Sequence, residues 1–257
     1  MTGGFFSKIQ ILLNSRKIFK NWYIYPKVYC KLTNNEFVIF ETKDGLKIKI
    51  RAGTTDLMAL TNVWMINEYH VEDFEINRND VVIDIGAHIG LFSLLVSQYC
   101  KTGKIFSFEP MRENFDLLVS NLELNRMKNV FPFNVAVSKN SGKLNLFLNS
   151  DQSAHSIFSE SSKSVTVESI SLQKIFEENK ISSCKLLKLD CEGAEYDIID
   201  SLPPEYLAKI QNMAIEYHSA DTKPELVKNL ILKIKNAGFK IQTRPHYDDM
   251  GFLIARK

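Results

Sequence analysis

Close-set cysteine pairs are missing from this chain. Cys30, Cys100, Cys184 and Cys191 form no C-x-x-C pair, which argues against a disulfide-stapled scaffold and a thiolate zinc site. No apolar run approaches the roughly 18 residues that a membrane-spanning helix needs. Net charge is also small: 32 Lys and Arg face 30 Asp and Glu, a formal +2. That balance gives no general case for a nucleic-acid partner. A signal peptide is not expected, because Lys8 and Gln10 interrupt the first apolar run and no small-residue cleavage site follows. The expectation is a reduced, cytoplasmic protein. Its 257 residues, 45% hydrophobic and 24% charged, suit one α/β domain with an extension.

The charge that is present is uneven. Residues 1–35 hold Lys8, Arg16, Lys17, Lys20, Lys27 and Lys31 and no acid, leaving 26 basic against 30 acidic residues in the body. Apolar residues at 5, 6, 9, 12, 13, 18 and 19 are interleaved with these bases, and Trp22, Tyr23 and Tyr25 follow. The spacing predicts a basic amphipathic helix packed on the main domain. The alternative is peripheral contact with the inner membrane surface, where each Lys or Arg adds about 1 kcal/mol. Asp44-Gly45 between alternating runs predicts a hairpin, and Thr54-Thr55-Asp56 caps a helix to about Trp64. Residues 1–75 read as an N-terminal extension and 76–257 as the ligand-binding domain.

Val81-Val-Ile-Asp-Ile-Gly-Ala-His-Ile-Gly90 is the organising stretch. Its apolar start reads as a strand buried on both faces. Gly86 and Gly90 make a tight turn into the helical pattern that begins at Leu91. In an open α/β sheet such a turn lies at the carboxyl edge, where ligands bind. Glu109 ends the next strand, 19 residues beyond Gly90. An acid there accepts from both hydroxyls of a ribose and repels a 2′-phosphate. NAD and S-adenosylmethionine both satisfy this pattern. The turn lacks the middle glycine of the pyrophosphate fingerprint, and Asp84 two residues before Gly86 suits a cationic ligand or a network holding the loop. Both features lean toward S-adenosylmethionine.

Further on, Arg112–Asn125 reads as a helix and Asn129–Val137 as the third core strand. The serine-rich run 149–164, with His155, reads as a loop bordering the site. Strands end at Asp190 and at His218. Two final strands, 239–243 and 251–255, have no helix between them and should pair antiparallel. The expected fold is α/β: a Rossmann-like class I methyltransferase with a mostly parallel seven-stranded sheet, an antiparallel last strand and a helix/hairpin extension at the N-terminus.

Residues 81–218 resemble the FkbM family of S-adenosylmethionine-dependent methyltransferases. The resemblance rests on VVIDIGAHIG (81–90), FEPMRENFDLLVSNLELN (108–125), NVAVSKNSGKL (134–144), LLKLDCEGAEYDII (186–199) and AIEYH (214–218), in that order and spacing. His88 stands where many members carry Asn. The family implies methyl transfer to a hydroxyl, often on a sugar, glycan or natural product. It implies that Asp84, Gly86, Ala87, His88 and Gly90 surround the methionine part and Glu109 the ribose. Asp190 and Glu192 would face the transferred methyl, with Glu216 and His218 closing the site. A poorly nucleophilic hydroxyl needs its proton taken: His218 is the best base by intrinsic pKa and Asp190 by placement. Alternatively Asp190, Glu192, Glu216 and His218 hold Mg²⁺, although no spacing demands it. The competing functions are an NAD-dependent oxidoreductase and a non-catalytic cofactor-binding module recruited to membranes.

Overall fold

The computed structural model describes residues 5–147, 164–245 and 249–257. The serine-rich run expected beside the site, His155 included, lies outside the described residues apart from Ser164. Among the described residues twelve strands form: β1 (Phe37–Glu41), β2 (Lys47–Arg51), β3 (Val81–Ile85), β4 (Lys104–Phe108), β5 (Val130–Phe133), β6 (Ala136–Ser138), β7 (Gly142–Phe147), β8 (Ser164–Ser171), β9 (Cys184–Leu189), β10 (Ile210–Tyr217), β11 (Lys240–Pro245) and β12 (Gly251–Arg256). The main sheet has seven strands in the order β5-β4-β3-β9-β10-β12-β11. β12 runs antiparallel to both β10 and β11, and the remaining pairings are parallel. The expected sheet and its closing antiparallel strand are therefore present.

Strand order reverses between β3 and β9. The chain first builds outward through β4 and β5, then crosses back to β9. A crevice opens at the carboxyl ends where the two directions part, and this is where such sheets bind ligands. Alternate residues of the buried strands feed two cores. Val82, Ile105 and Leu186 pack with Leu91, Leu94, Leu118 and the N-terminal extension. Ile83, Phe106 and Leu187 pack with Phe176, Ile198 and Ile234 on the other face.

One expected strand is two. The run Asn129–Val137 breaks after Phe133; β6 leaves the main sheet and joins β7 and β8 in a separate three-stranded sheet. Pro132 is tolerated because β5 is the edge strand. The Asn134 amide then donates to the carbonyls of Glu109 and Pro110, both at 2.9 Å, and turns the chain away.

The extension is built into the domain. Helix α1 (Phe5–Ile18) and helix α2 (Ile24–Tyr29) bury Phe19, Tyr25 and Val28, while Ile9, Leu12 and Leu13 stay exposed. The β1–β2 hairpin forms as expected. Helix α3 (Asp56–Leu60) then runs on through a π-helical turn, Thr61–Ile66, which ends at left-handed Asn67. Such turns recur at functional sites. The Trp64 indole donates to the Leu91 carbonyl at 3.1 Å. The hairpin is tied down by Asn121, which is fully buried on helix α4 (Arg112–Leu124). Its side chain accepts from Lys49 N at 2.7 Å and donates to the Lys49 and Ile89 carbonyls at 3.0 and 2.9 Å.

Replacing Asn121 with Ala strands the buried Ile89 carbonyl and the half-buried Lys49 amide and carbonyl. We expect Asn121→Ala to lower unfolding free energy by about 2–3 kcal/mol, read by urea denaturation. An unchanged midpoint would show that hairpin, loop and helix are not locked through this residue.

Candidate functional site

The site begins with two strands in register. Asp84 on β3 pairs with Lys188 on β9, and Ile85 pairs with Leu189. That places Gly86 against Asp190. A Cβ at Gly86 would lie 1.7 Å from the Asp190 carbonyl oxygen, and Gly86 has φ +76°. Only glycine fits there, for space and for backbone conformation. The turn is held by Gly86 N and Ala87 N, which both donate to the Phe108 carbonyl at 3.0 Å.

Lys188 is the residue the sequence reading passed over. It is 3% exposed, and its Nζ lies 3.4 Å from both Asp84 Oδ1 and Asp190 Oδ2. It also donates to the Gly86 carbonyl at 2.7 Å. Burial works against its charge, yet Asp190, Asp84 and Glu216 hold its pKa well above the ordinary lysine value. The other Asp84 oxygen accepts from Ser93 Oγ at 2.6 Å. Asp84 and Gly90 thus stand behind the cavity wall, whereas Gly86, Ala87, His88 and Glu109 line it.

That cavity has a volume of about 410 Å³, within the usual range for a small-molecule site. On its β3–β4 side, Glu109 is 5% exposed. One of its oxygens accepts from His88 N at 2.8 Å and the other from Met111 N at 2.9 Å. The Asn114 side chain also bonds this carboxylate, which leaves an acceptor position for a ribose hydroxyl. Phe108, Met111, Val137 and Leu146 give an apolar wall beside it. His88 is held at φ +51°, with Nε2 3.5 Å from Asp56 Oδ1 and without a hydrogen-bond partner among the described residues. Burial first, and Arg51 nearby, lower its pKa to about 4 despite Asp56. Asp56 is itself gripped by the Arg51 guanidinium at 2.9 and 2.8 Å. A glycine turn, a doubly anchored carboxylate and an apolar slot together fit an adenosine-bearing cofactor.

The β9–β10 side is acidic. Asp190, Glu192 and His218 come together, with ligand-capable atoms of all three within 4.8 Å of one another. His218 Nδ1 lies 3.1 Å from Glu195 Oε1, and Nε2 lies 3.6 Å from both Glu192 and Glu216. Burial opposes charge on this imidazole, but Glu195 and Glu216 raise its pKa to about 12. Burial also pushes Glu192 up to about 8, although His218 pulls it down. Asp190 feels the same burial, but Lys188, His218 and the Tyr69 hydroxyl keep its carboxyl below the ordinary value. Tyr69 donates to Asp190 Oδ2 at 3.1 Å and reaches Glu216 at 3.5 Å. Its ring packs edge-on against Phe92 and Phe252. Neither Tyr69 nor the neighbouring Glu68 was a sequence candidate, since both lie in a segment without periodicity. Lys188 did leave a signal: a lysine inside the apolar strand Leu186-Leu-Lys-Leu189 is out of place unless it is paired.

Burial raises the Glu109 carboxyl from 4.5 to about 7, against the pull of the Met111 and His88 amides. Within that window the folded state keeps a proton that the unfolded chain has lost. The associated stability is present at low pH and disappears as pH rises through about 7, roughly 3 kcal/mol in all. Glu109→Gln should flatten this slope in the ligand-free protein, measured by urea unfolding on either side of the window. An unaltered slope would assign it to other groups.

Comparison with known proteins agrees with this geometry. Residues 84–241 match the FkbM methyltransferase domain. The chain is 25% identical over 188 residues to the hexuronic acid methyltransferase AglP of Haloferax volcanii, covering 70% of this chain and 75% of that one. It is 26% identical over 182 residues to the methyltransferase sdnD of Sordaria araneosa, covering 58% and 70%. A candidate rRNA methylase from Clostridium thermocellum shares the fold, with TM-score 0.50 and 12% identity over 74% of this chain and 93% of that one. The family match excludes the nicotinamide reading, and the chain belongs to the FkbM family of S-adenosylmethionine-dependent methyltransferases.

Proposed function

We propose that this methyltransferase acts on a hydroxyl of a sugar, glycan or related natural product, and that Asp190 receives the hydroxyl's hydrogen bond. The observation that carries the reading is the single cavity shared by the glycine turn, Glu109 and the carboxylates at the ends of β9 and β10. The hexuronic acid acceptor in the name of the Haloferax relative supports a sugar-like class for this chain as well.

Gly86, Ala87, His88 and Glu109 would hold S-adenosylmethionine, which supplies an electrophilic methyl group on a good leaving group. Positioning then carries most of the rate, up to about 7–11 kcal/mol. Asp190 is the member of the cluster held ionised, and it is 28% exposed toward the cavity. Tyr69 and Lys188 fix its orientation. His218 is already protonated near neutral pH, so it serves better as a fixed cation than as the base. The extension, residues 1–75, contributes Met58, Asn62, Glu68 and Tyr69 to the wall, and we assign acceptor selection to it.

Among the described residues no helix is long and apolar enough to cross a membrane. Peripheral contact through exposed Ile9, Leu12 and Leu13 is a second reading. Leu12→Glu with Leu13→Glu should abolish sedimentation with anionic vesicles; absence of sedimentation by the unaltered chain removes this reading.

The decisive experiment pairs cofactor binding with transfer. S-adenosylhomocysteine, and not NAD, should raise the melting temperature, by about 2.7 kcal/mol of stabilisation at 100 times its dissociation constant. Label from S-adenosylmethionine should pass to hydroxyl-bearing glycosides. Asp190→Asn should keep the thermal shift and lower transfer by at least 10²-fold, in the range expected for a lost proton-transfer group. Full transfer by Asp190→Asn would remove Asp190 from the chemistry, and transfer only to nitrogen or carbon acceptors would overturn the hydroxyl reading.

A further inference from the structure

The β9–β10 wall carries more acid than its cations balance. Asp190, Glu192, Glu195, Glu216 and Glu68 face Lys188 and His218, and Lys188 is shared with Asp84. Glu68 is the outlier. Its side chain is buried, at 9% exposure for the residue, and it lines the same cavity. Glu216 and Asp190 are its foremost charged neighbours. It has no side-chain hydrogen bond or ion pair among the described residues. The nearby Arg244 instead donates to the Glu68 backbone carbonyl at 2.6 Å and contacts His70 Nε2 at 2.9 Å. A nearly buried carboxylate beside other carboxylates is costly as an anion, so it takes up a proton unless a cation joins the group.

The geometry of His218 says where that cation sits. Glu195 is fully buried and accepts from both His218 N and the Nδ1 edge, at 2.9 and 3.1 Å. The ring is thereby held with Nε2 aimed at Glu192 and Glu216. A histidine fixed by a carboxylate behind it, presenting its other nitrogen to more carboxylates, is a common arrangement around bound metals. Groups ~2.1 Å from one ion stand roughly 3–4.2 Å from each other. The spread of Asp190, Glu192 and His218, within 4.8 Å, closes onto an ion with small side-chain movements.

We propose that Asp190, Glu192 and His218 Nε2 form a divalent-cation site, the ion displacing the Nε2 proton that the imidazole carries in its absence, with Glu216 and Glu68 at its rim. One imidazole among carboxylates favours Mn²⁺ over the all-oxygen preference of Mg²⁺. The ion would hold neighbouring oxygens of the acceptor. This role rests on the hydroxyl-acceptor reading above, whereas the binding of the ion does not.

The test is a Mn²⁺ titration of the chelator-treated full chain, without cofactor or acceptor, followed by the electron paramagnetic resonance signal of free Mn²⁺. One ion per chain should bind, and Mg²⁺ at equal concentration should not displace it. Glu192→Gln and Asp190→Asn should each weaken binding at least tenfold, and Glu68→Gln should weaken it less, with thermal unfolding confirming that each variant folds. Undiminished free signal up to millimolar Mn²⁺ overturns the site, as does binding that none of the three substitutions alters. Mn²⁺ bound as described with no methylated glycoside would overturn the acceptor reading and leave the metal site standing.

Discussion

Lys188 is the constraint on which the rest of the site depends. A lysine at the centre of a seven-stranded sheet is tolerated only because Asp84 on the adjacent β3 and Asp190 at the end of its own strand flank it, and the Gly86 carbonyl accepts from it. Removing one member of such a buried set costs about 3–5 kcal/mol, because it leaves the others uncompensated. The same ammonium joins the two functions of the cavity. Through Gly86 it fixes the turn proposed to receive the cofactor, and through Asp190 it sets the charge state of the group proposed to face the acceptor. Register makes this unavoidable: once Asp84 sits opposite Lys188, Asp190 must project beside Gly86. A one-residue slip would send every side chain of β9 to the opposite face.

The turn and the carboxylate at the end of β4 were legible because their signals are local. A buried β-branched strand, two glycines, a helix and an acid about 20 residues on can be read within one βαβ unit. The antiparallel finish was also legible, since no helix pattern separates the last two strands. What escaped depends on long-range placement. Tyr69 meets Asp190 and Glu216 across 121 and 147 residues of chain. It is aimed by a π-helical turn that leaves no apolar period to detect. The break after Phe133 escaped for a related reason: Phe131-Pro-Phe-Asn-Val-Ala-Val137 is apolar enough for one strand, and only the side-chain bonds of Asn134 divide it.

Burial separates the titratable groups into roles that intrinsic pKa values do not reveal. By its free value His218 was the natural base, but its surrounding carboxylates hold it as a cation. Asp190 stays ionised because Lys188 and His218 offset its burial. Glu192 and Glu68, with less compensation, are driven toward the protonated form. Environments that push neighbouring groups apart in this way are how one cavity divides acid, base and fixed charge.

The extension turns a general fold into a particular site. Its hairpin sends Arg51 to Asp56 and Asn114, and Asp56 in turn faces His88 in the glycine turn. Trp64 then anchors the π-helical turn to the Leu91 carbonyl at the start of the following helix. From that anchor the chain needs only a few residues to lay Tyr69 over Asp190 and Glu68 beside Glu216. The sheet's carboxyl edge provides the glycine turn and the acids, but its mouth would be open without this segment. Closing it with residues 68–70, pinned from the far side by Arg244, buries the carboxylates deeply enough to perturb them. The perturbed chemistry of β9 and β10 is therefore a consequence of how the first 75 residues pack, and because Asp56 and Trp64 also reach His88 and Leu91, changes in that packing should be felt in the glycine turn as well.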